Sequence, residues 1–194
     1  MKNVLKKLSA IFAILSGLAS IGLSIFVMLN YPNSDTDLLL NRILLIVIGV
    51  VIIITGIMAL ISKKESYFLL LILICSYYRF REIINTIAVT TADNIMVAIL
   101  GLIAAIALLY SLFNFKFKMV ARFISTILMA LLYLFMLINF ITNSMDNYVT
   151  SVRIFYLAFF ILMTITYAVI SVKYYFEIRY GTDKEIKEEN NEKV

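Results

Sequence analysis

Long apolar runs, interrupted only by short polar segments, constrain this chain more than any other feature of its sequence. Of the 194 residues, 63% are hydrophobic and 15% are charged, whereas soluble domains are about 45–50% apolar and about 25% charged. A water-soluble fold of this size has too little interior to hide so much apolar surface. The composition therefore excludes a globular soluble enzyme and indicates an integral membrane protein.

Six of the apolar runs are long enough for helices that cross a bilayer, whose hydrocarbon core of about 30 Å requires about 20 helical residues. The first run follows the basic start MKNVLKK, as in a signal peptide, but it is longer than a signal sequence needs and no A-x-A site closes it. We therefore expect an all-α bundle of six transmembrane helices within residues 1–181. The predicted spans are residues 9–30, 38–62, 67–84, 95–113, 119–142 and 153–175.

Lys and Arg are distributed unevenly over the segments that join these spans. Thirteen of the 17 basic residues fall on the side of the N-terminus, and the other four are Arg42, Arg79, Arg81 and Arg153. By the positive-inside rule this distribution places both termini in the cytoplasm. The net charge of +5 is explained by anionic head groups beside the span ends, so we expect no nucleic-acid partner.

The last segment of the chain differs in composition from the spans. Residues 182–194 read TDKEIKEENNEKV and contain too few apolar side chains to order themselves by burial. We predict a disordered, charged cytoplasmic tail, with a short partner-binding helix as the alternative.

Small residues recur along the first span at intervals that place them on one side of a helix. Such residues allow helices to approach closely in lipid, where apolar side chains alone give little advantage. Two interpretations stay open: packing inside this bundle, or a face on which another membrane subunit docks. The candidate docking face consists of Ser9, Ala13, Gly17, Ser16, Ser20 and Ser24.

Charged residues interrupt the third predicted span at the sequence YYRFREIINT. Ionisable groups inside a membrane are costly, so they pair with each other, face a cavity or mark a function. Arg79 and Glu82 are three residues apart and can pair on one helix face, and Arg81 and Asn85 are four apart. Either the third helix ends here near the interface, or these residues form a polar pocket with Asp93 that opens to the outside.

A few other polar residues lie within the predicted spans. Tyr133, Tyr156 and Tyr167 lie deep enough that each hydroxyl should find a partner in another helix. For the aromatic stripe that contains the last two, core packing and the lining of a ligand pocket are both possible. We expect Arg122 to reach an interface, and Cys75 to be a small packing residue.

The residue types exclude most catalytic chemistry. The chain has no His and one Cys, so Ser–His hydrolysis and His-based zinc sites cannot be built. An aspartyl dyad would need two carboxylates at membrane depth, and Glu82 is the one acid inside a predicted span. We expect no enzymatic activity, no cofactor and no metal.

Two functions remain. The first is a non-enzymatic multi-pass membrane protein that acts through a membrane-protein partner, as an accessory subunit of an export machine or an immunity protein against a membrane-active toxin. The alternative is a small-solute transporter or substrate-capturing subunit with an outward-facing site near Arg79 and Glu82. Transporter helices are usually broken by Gly and Pro near the site, whereas the single Pro here lies in a loop. This difference favours the first function.

The surroundings of the protein follow from the same composition. The expected partners are the lipid bilayer and another membrane protein, with a small molecule in the alternative. The Lys, Asn and Ile usage is typical of a low-GC bacterial genome, so we expect the bacterial cytoplasmic membrane.

Overall fold

The computed structural model describes residues 2–31, 36–62, 64–87, 92–113 and 116–191. The side chains that are not described within these ranges are those of residues 2, 36–38, 78–79, 81–87, 92–94, 96 and 181–191.

The described residues are helical almost throughout, as expected of a chain whose backbone groups must bond within their own segment in lipid. The α-helices are α1 (Lys2–Asn30), α2 (Thr36–Ile61), α3 (Glu65–Ile87), α4 (Ala92–Leu112), α5 (Lys118–Asn139) and α6 (Thr150–Asn191). A π-helical turn (Phe140–Ser144) and a 3-10 turn (Met145–Asn147) follow α5. The predicted all-α class and the six helices in their order are confirmed for this part of the chain.

Four of the six helices are long and apolar enough to cross a membrane, which indicates an integral membrane protein. These apolar segments are Asn3–Asn30, Leu39–Ile61, Lys118–Asn147 and Thr150–Tyr180. In the described parts of α3 and α4 the apolar stretches are shorter, Glu65–Tyr77 and Val97–Leu112.

The charged segment 182–194 was expected to be a disordered tail. The backbone of α6 continues as a helix to Asn191, whereas the side chains of this segment and its last three residues lie outside the described part. That residues 182–194 form a disordered cytoplasmic tail stays a prediction.

The six helices pack in chain order, and α6 returns to close against α1. The most extensive contacts are those of α1 with α2 and with α6. On the α6 side Phe26 stacks on Phe155 with ring centroids 5.0 Å apart, and the same Phe155 ring lies directly against Gly22. Thus α1 lies between the second and the last helix of the bundle.

Glycines set the distance between α1 and α2. A Cβ at Gly17 would lie 2.8 Å from the carbonyl oxygen of Gly49, and a Cβ at Gly49 would lie 2.9 Å from that of Gly17. Gly56 is similarly close to Ile14, whose Cγ1 would lie 2.5 Å from an added Cβ. Because backbone atoms cannot move aside as a flexible side chain can, any larger residue at the Gly17–Gly49 crossing would push the helices apart.

The candidate docking face of α1 is covered within the chain. All six of its residues are buried: Ser9, Ala13, Ser16, Gly17, Ser20 and Ser24. The hydroxyls of Ser9, Ser16 and Ser24 donate to carbonyls of α1 itself, so they need no partner from another subunit. Packing inside the bundle accounts for this burial. A second subunit could reach these residues only if α1 separated from its neighbours, and they therefore do not form an open docking face.

At the end of the bundle where α1 finishes, Tyr31 joins α1 to the connection between α5 and α6. The backbone N–H of Val149 donates to the Tyr31 hydroxyl at 3.0 Å, and Arg42 donates to the Tyr31 carbonyl at 2.7 Å. Arg153 donates in turn to the carbonyl of Tyr148. The two arginines therefore bond to loop carbonyls at this end.

Gly49→Ala is expected to destabilise the bundle by about 1–3 kcal/mol, the usual cost of overpacking, because the new methyl group meets the Gly17 carbonyl. Val50→Leu is the matched control, since Val50 is 42% exposed on the same helix and its added methylene faces lipid. The free energies can be measured by detergent titration followed by circular dichroism. Equal stability of the two variants would contradict the α1–α2 contact.

Candidate functional site

The interior between α3, α5 and α6 is filled by aromatic rings whose hydroxyls bond to α3. The buried rings of Tyr133 and Tyr167 stack with centroids 5.7 Å apart. The Tyr133 hydroxyl donates to the Cys75 carbonyl at 3.2 Å. The Tyr167 hydroxyl donates to the Ile72 carbonyl at 3.2 Å and lies 2.8 Å from Ser76 Oγ. Both hydroxyls thus have the interhelical partners predicted for them, and core packing accounts for Tyr167.

A buried lysine joins α3 to α6 at the end of the bundle that carries the N-terminus. The side chain of Lys173 is 2% exposed, and its ammonium lies 2.9 Å from Glu65 Oε1 and 3.1 Å from Glu177 Oε1. The same Nζ lies 4.8 Å from the centroid of the Phe68 ring and 4.4 Å from that of Tyr174. Two carboxylates and two ring faces therefore compensate the charge, as a buried ammonium requires.

Two further cations are buried at this end. Arg122 is 7% exposed, donates to the Ser111 carbonyl at 3.3 Å and lies 5.8 Å from the Tyr174 ring centroid. Lys6 is 8% exposed and donates to the Ser62 carbonyl at 3.2 Å. The Lys6 Nζ lies 5.9 Å from the centroid of the Phe68 ring of α3. The three cations and their contacts involve α1, α3, α4, α5 and α6. The connection that follows α2 supplies a carbonyl.

These contacts form one group, which we call the basic end cluster. It consists of Lys6, Arg122, Lys173, Glu65, Glu177, Phe68 and Tyr174. With three cations and two carboxylates, its formal charge is one positive unit. Within the described part of the chain, Arg122 Nε, Tyr174 Oη and Glu177 Oε2 are buried without a hydrogen-bond partner. The hydrogen bonding of the cluster is therefore incomplete at these three atoms.

Sequence reasoning did not find this cluster. Lys173 was counted as a basic residue of the cytoplasmic side, and Arg122 was expected to reach an interface, yet both are buried. One signal was available, because Lys173 lies inside the sixth predicted span, where an ammonium needs a partner, and Glu177 follows four residues later. Glu65 is 108 positions away, and no local spacing could identify it.

The candidate polar pocket lies largely beyond what the structure describes. The backbone places Arg79, Arg81, Glu82 and Asn85 on the last turns of α3, and Asp93 in the first turn of α4. The side chains of all five lie outside the described residues. That these five residues form a polar pocket stays a prediction.

In the parts of the chain with described side chains, no group of three or more His, Cys, Asp or Glu lies close enough together to hold a metal ion. Cys75 is 1% exposed and packs in the apolar core.

Two apolar grooves run along the lipid-facing side of α5. The groove between α4 and α5 has a volume of about 410 Å³, with Ala107 and Ala121 between larger residues such as Ile106 and Ile124. The groove between α5 and α6 has a volume of about 360 Å³. Its small residues are Ala130, Ala168 and Ser171, and its larger ones are Phe123, Ile127, Leu131, Val172 and Tyr175. Both grooves thus combine small residues with bulky apolar neighbours.

No protein-family model, curated protein or solved structure matches this chain.

Removing both carboxylate partners of Lys173 should destabilise the bundle far more than removing either one. Glu65→Gln and Glu177→Gln each leave the ammonium one carboxylate partner, whereas the double variant leaves a buried charge with no carboxylate, which costs about 3–5 kcal/mol. A double-mutant cycle on unfolding free energies should therefore show a loss greater than the sum of the single losses. Asp146→Asn is the control, because Asp146 is 96% exposed in its pair with Arg153 and such pairs contribute about 0–1 kcal/mol. Additive losses would contradict a shared ammonium.

Proposed function

We propose that this protein is a non-enzymatic, six-span protein of the bacterial cytoplasmic membrane that acts by binding another membrane protein. Accessory subunits of export machines and immunity proteins against membrane-active toxins are the two classes of such proteins that fit. The observation that carries the proposal is the α5–α6 groove, because Ala168 on its floor is exposed to lipid while the small residues of α1 are used inside the chain.

The lengths of the two shorter apolar helices support six spans. α3 contains 23 residues and α4 contains 21, so at 1.5 Å per residue they are about 34 and 32 Å long. A hydrocarbon core of about 30 Å can be crossed by either helix.

The exposed basic residues support cytoplasmic termini. The basic end cluster holds Lys6, Arg122 and Lys173 inside the bundle. The orientation given by the positive-inside rule therefore depends on the basic residues that are exposed. Lys7, Lys64 and Lys116 are exposed at the end that carries the N-terminus. This distribution favours the cytoplasm on that side.

The shape of the α5–α6 groove supports a helix of a different protein as its occupant. Ala168 is exposed and Ala130 is half-buried, so a second backbone can approach between Leu131 and Tyr175, which are 53% and 46% exposed. In lipid, helices associate through such small residues because close packing is what acyl chains cannot match. The hydroxyl of Ser171 donates to the Tyr167 carbonyl, which leaves an apolar contact surface.

A photo-reactive amino acid at position 131 tests this proposal in intact cells of the native host. When this amino acid replaces Leu131, we expect it to form a discrete cross-linked adduct with another membrane protein. The matched control is the same replacement at Ile54, which is 52% exposed on α2 and should give no discrete protein adduct.

Filling the groove should abolish the adduct. Ala168→Leu places a bulky side chain on the exposed floor, and an overpacking cost of about 1–3 kcal/mol corresponds to a loss of about fivefold to more than 100-fold in adduct yield. The amount of protein in the membrane and its thermal midpoint should stay unchanged. Adducts with lipid alone, an adduct with a second copy of this chain, or a yield that Ala168→Leu does not change would each contradict the proposal.

A further inference from the structure

A cavity of about 330 Å³ lies between the first turns of α1 and the last turn of α2, at the end of the bundle that carries the basic end cluster. Its lining combines polar side chains from α1 with apolar ones from α2. The lining residues are Asn3, Lys6, Lys7, Ala59, Leu60, Ile61 and Ser62. A site with two ammonium groups on one wall and apolar side chains on the other is suited to an amphiphilic anion.

The charge of this cavity is set by how Lys6 is bonded. Its buried Nζ donates to the carbonyls of Ser62 and Lys64 at 3.2 and 3.3 Å. These two acceptors would otherwise repel an anion, and the hydrogen bonds hold the ammonium in the cavity wall. Lys7 is exposed and remains able to contact a ligand directly.

Glu65, which is close to this cavity in the sequence, is paired with a lysine outside the cavity. Glu65 follows the α2–α3 connection, but its Oε1 lies 2.9 Å from Lys173, a buried lysine of α6. The positive groups on the cavity side of α1 therefore face no carboxylate among its lining residues.

A second cavity of about 370 Å³ adjoins the first and extends its apolar side. It shares Ile61 and Ser62 with the first cavity and adds Ile57, Met58, Lys64 and Tyr67. Ile57 and Met58 belong to the apolar segment Leu39–Ile61, which is long enough to cross a membrane. Polar and basic groups thus lie at the end of a span, with an apolar surface that continues from them along the span.

We infer that these adjoining cavities bind one anionic phospholipid. Lys7, Asn3 and Ser62 contact its phosphate, Lys6 supplies a fixed charge behind it, and an acyl chain lies along Ile57, Met58 and Ile61. The phosphate group could equally come from free phosphate in solution, but the apolar wall and the position at a span end favour the lipid, whose head group lies at this depth. This inference is independent of the α5–α6 groove and of the proposed partner.

The full-length protein in phosphatidylcholine nanodiscs, titrated with phosphatidylglycerol, tests the inference by native mass spectrometry of retained lipid. We expect one tightly retained phosphatidylglycerol per chain. Lys7→Gln should weaken its retention about fivefold, which corresponds to about 1 kcal/mol per basic residue near the membrane surface. Lys7→Arg should preserve it, because the positive charge and the donors remain.

Lys116→Gln is the matched control, since Lys116 is an exposed lysine at the same end of the bundle but lies outside both cavities. It should leave retention unchanged. Equal losses in Lys7→Gln and Lys116→Gln would overturn the inference, because they would show diffuse attraction to the membrane surface. Equal retention of phosphatidylcholine would also overturn it.

A second measurement separates lipid from free phosphate. Millimolar inorganic phosphate, added to the protein in phosphatidylcholine nanodiscs, should leave the thermal midpoint unchanged, whereas phosphatidylglycerol should raise it. An equal rise with inorganic phosphate would overturn the lipid assignment.

Discussion

Lipid gives apolar helices little reason to prefer each other to acyl chains, and the architecture of this bundle depends on contacts that lipid cannot replace. One such contact is the crossing of α1 and α2, where the backbones of the two helices meet at Gly17 and Gly49. On its other side α1 meets α6 through Gly22 and Phe155. Because α1 is packed against both neighbours, its small residues contribute to the fold.

Buried charge supplies the second kind of contact. Lys173 joins α3 to α6, Arg122 joins α5 to the end of α4, and Lys6 joins α1 to the connection after α2. All three lie at one end of the bundle, whereas the tyrosines of the interior bond α5 and α6 to α3 nearer its centre. These three cations and two tyrosine hydroxyls thus link helices inside the bundle.

Much of the helix plan could be predicted because the length of an apolar run is a local property. The six helices followed from such runs. That the hydroxyls of Tyr133 and Tyr167 bond to another helix followed from the cost of burying a hydroxyl without a partner, although the sequence did not identify the acceptors. The role of the α1 stripe could not be decided, because small residues at that spacing serve internal and external packing equally. The polar sequence near Arg79 stays an open prediction, since its side chains lie outside the described residues.

The sequence by itself determined that this protein belongs in a membrane and that it is helical, because hydropathy adds up residue by residue along a run. Only the tertiary structure decided that α1 is covered by α2 and α6, that the exposed Ala168 lies in the groove between α5 and α6, and that Glu65 pairs with Lys173. Helix packing depends on how the helices are rotated against each other, and so does the Glu65–Lys173 pair, whose residues are 108 positions apart. No local periodicity encodes that rotation.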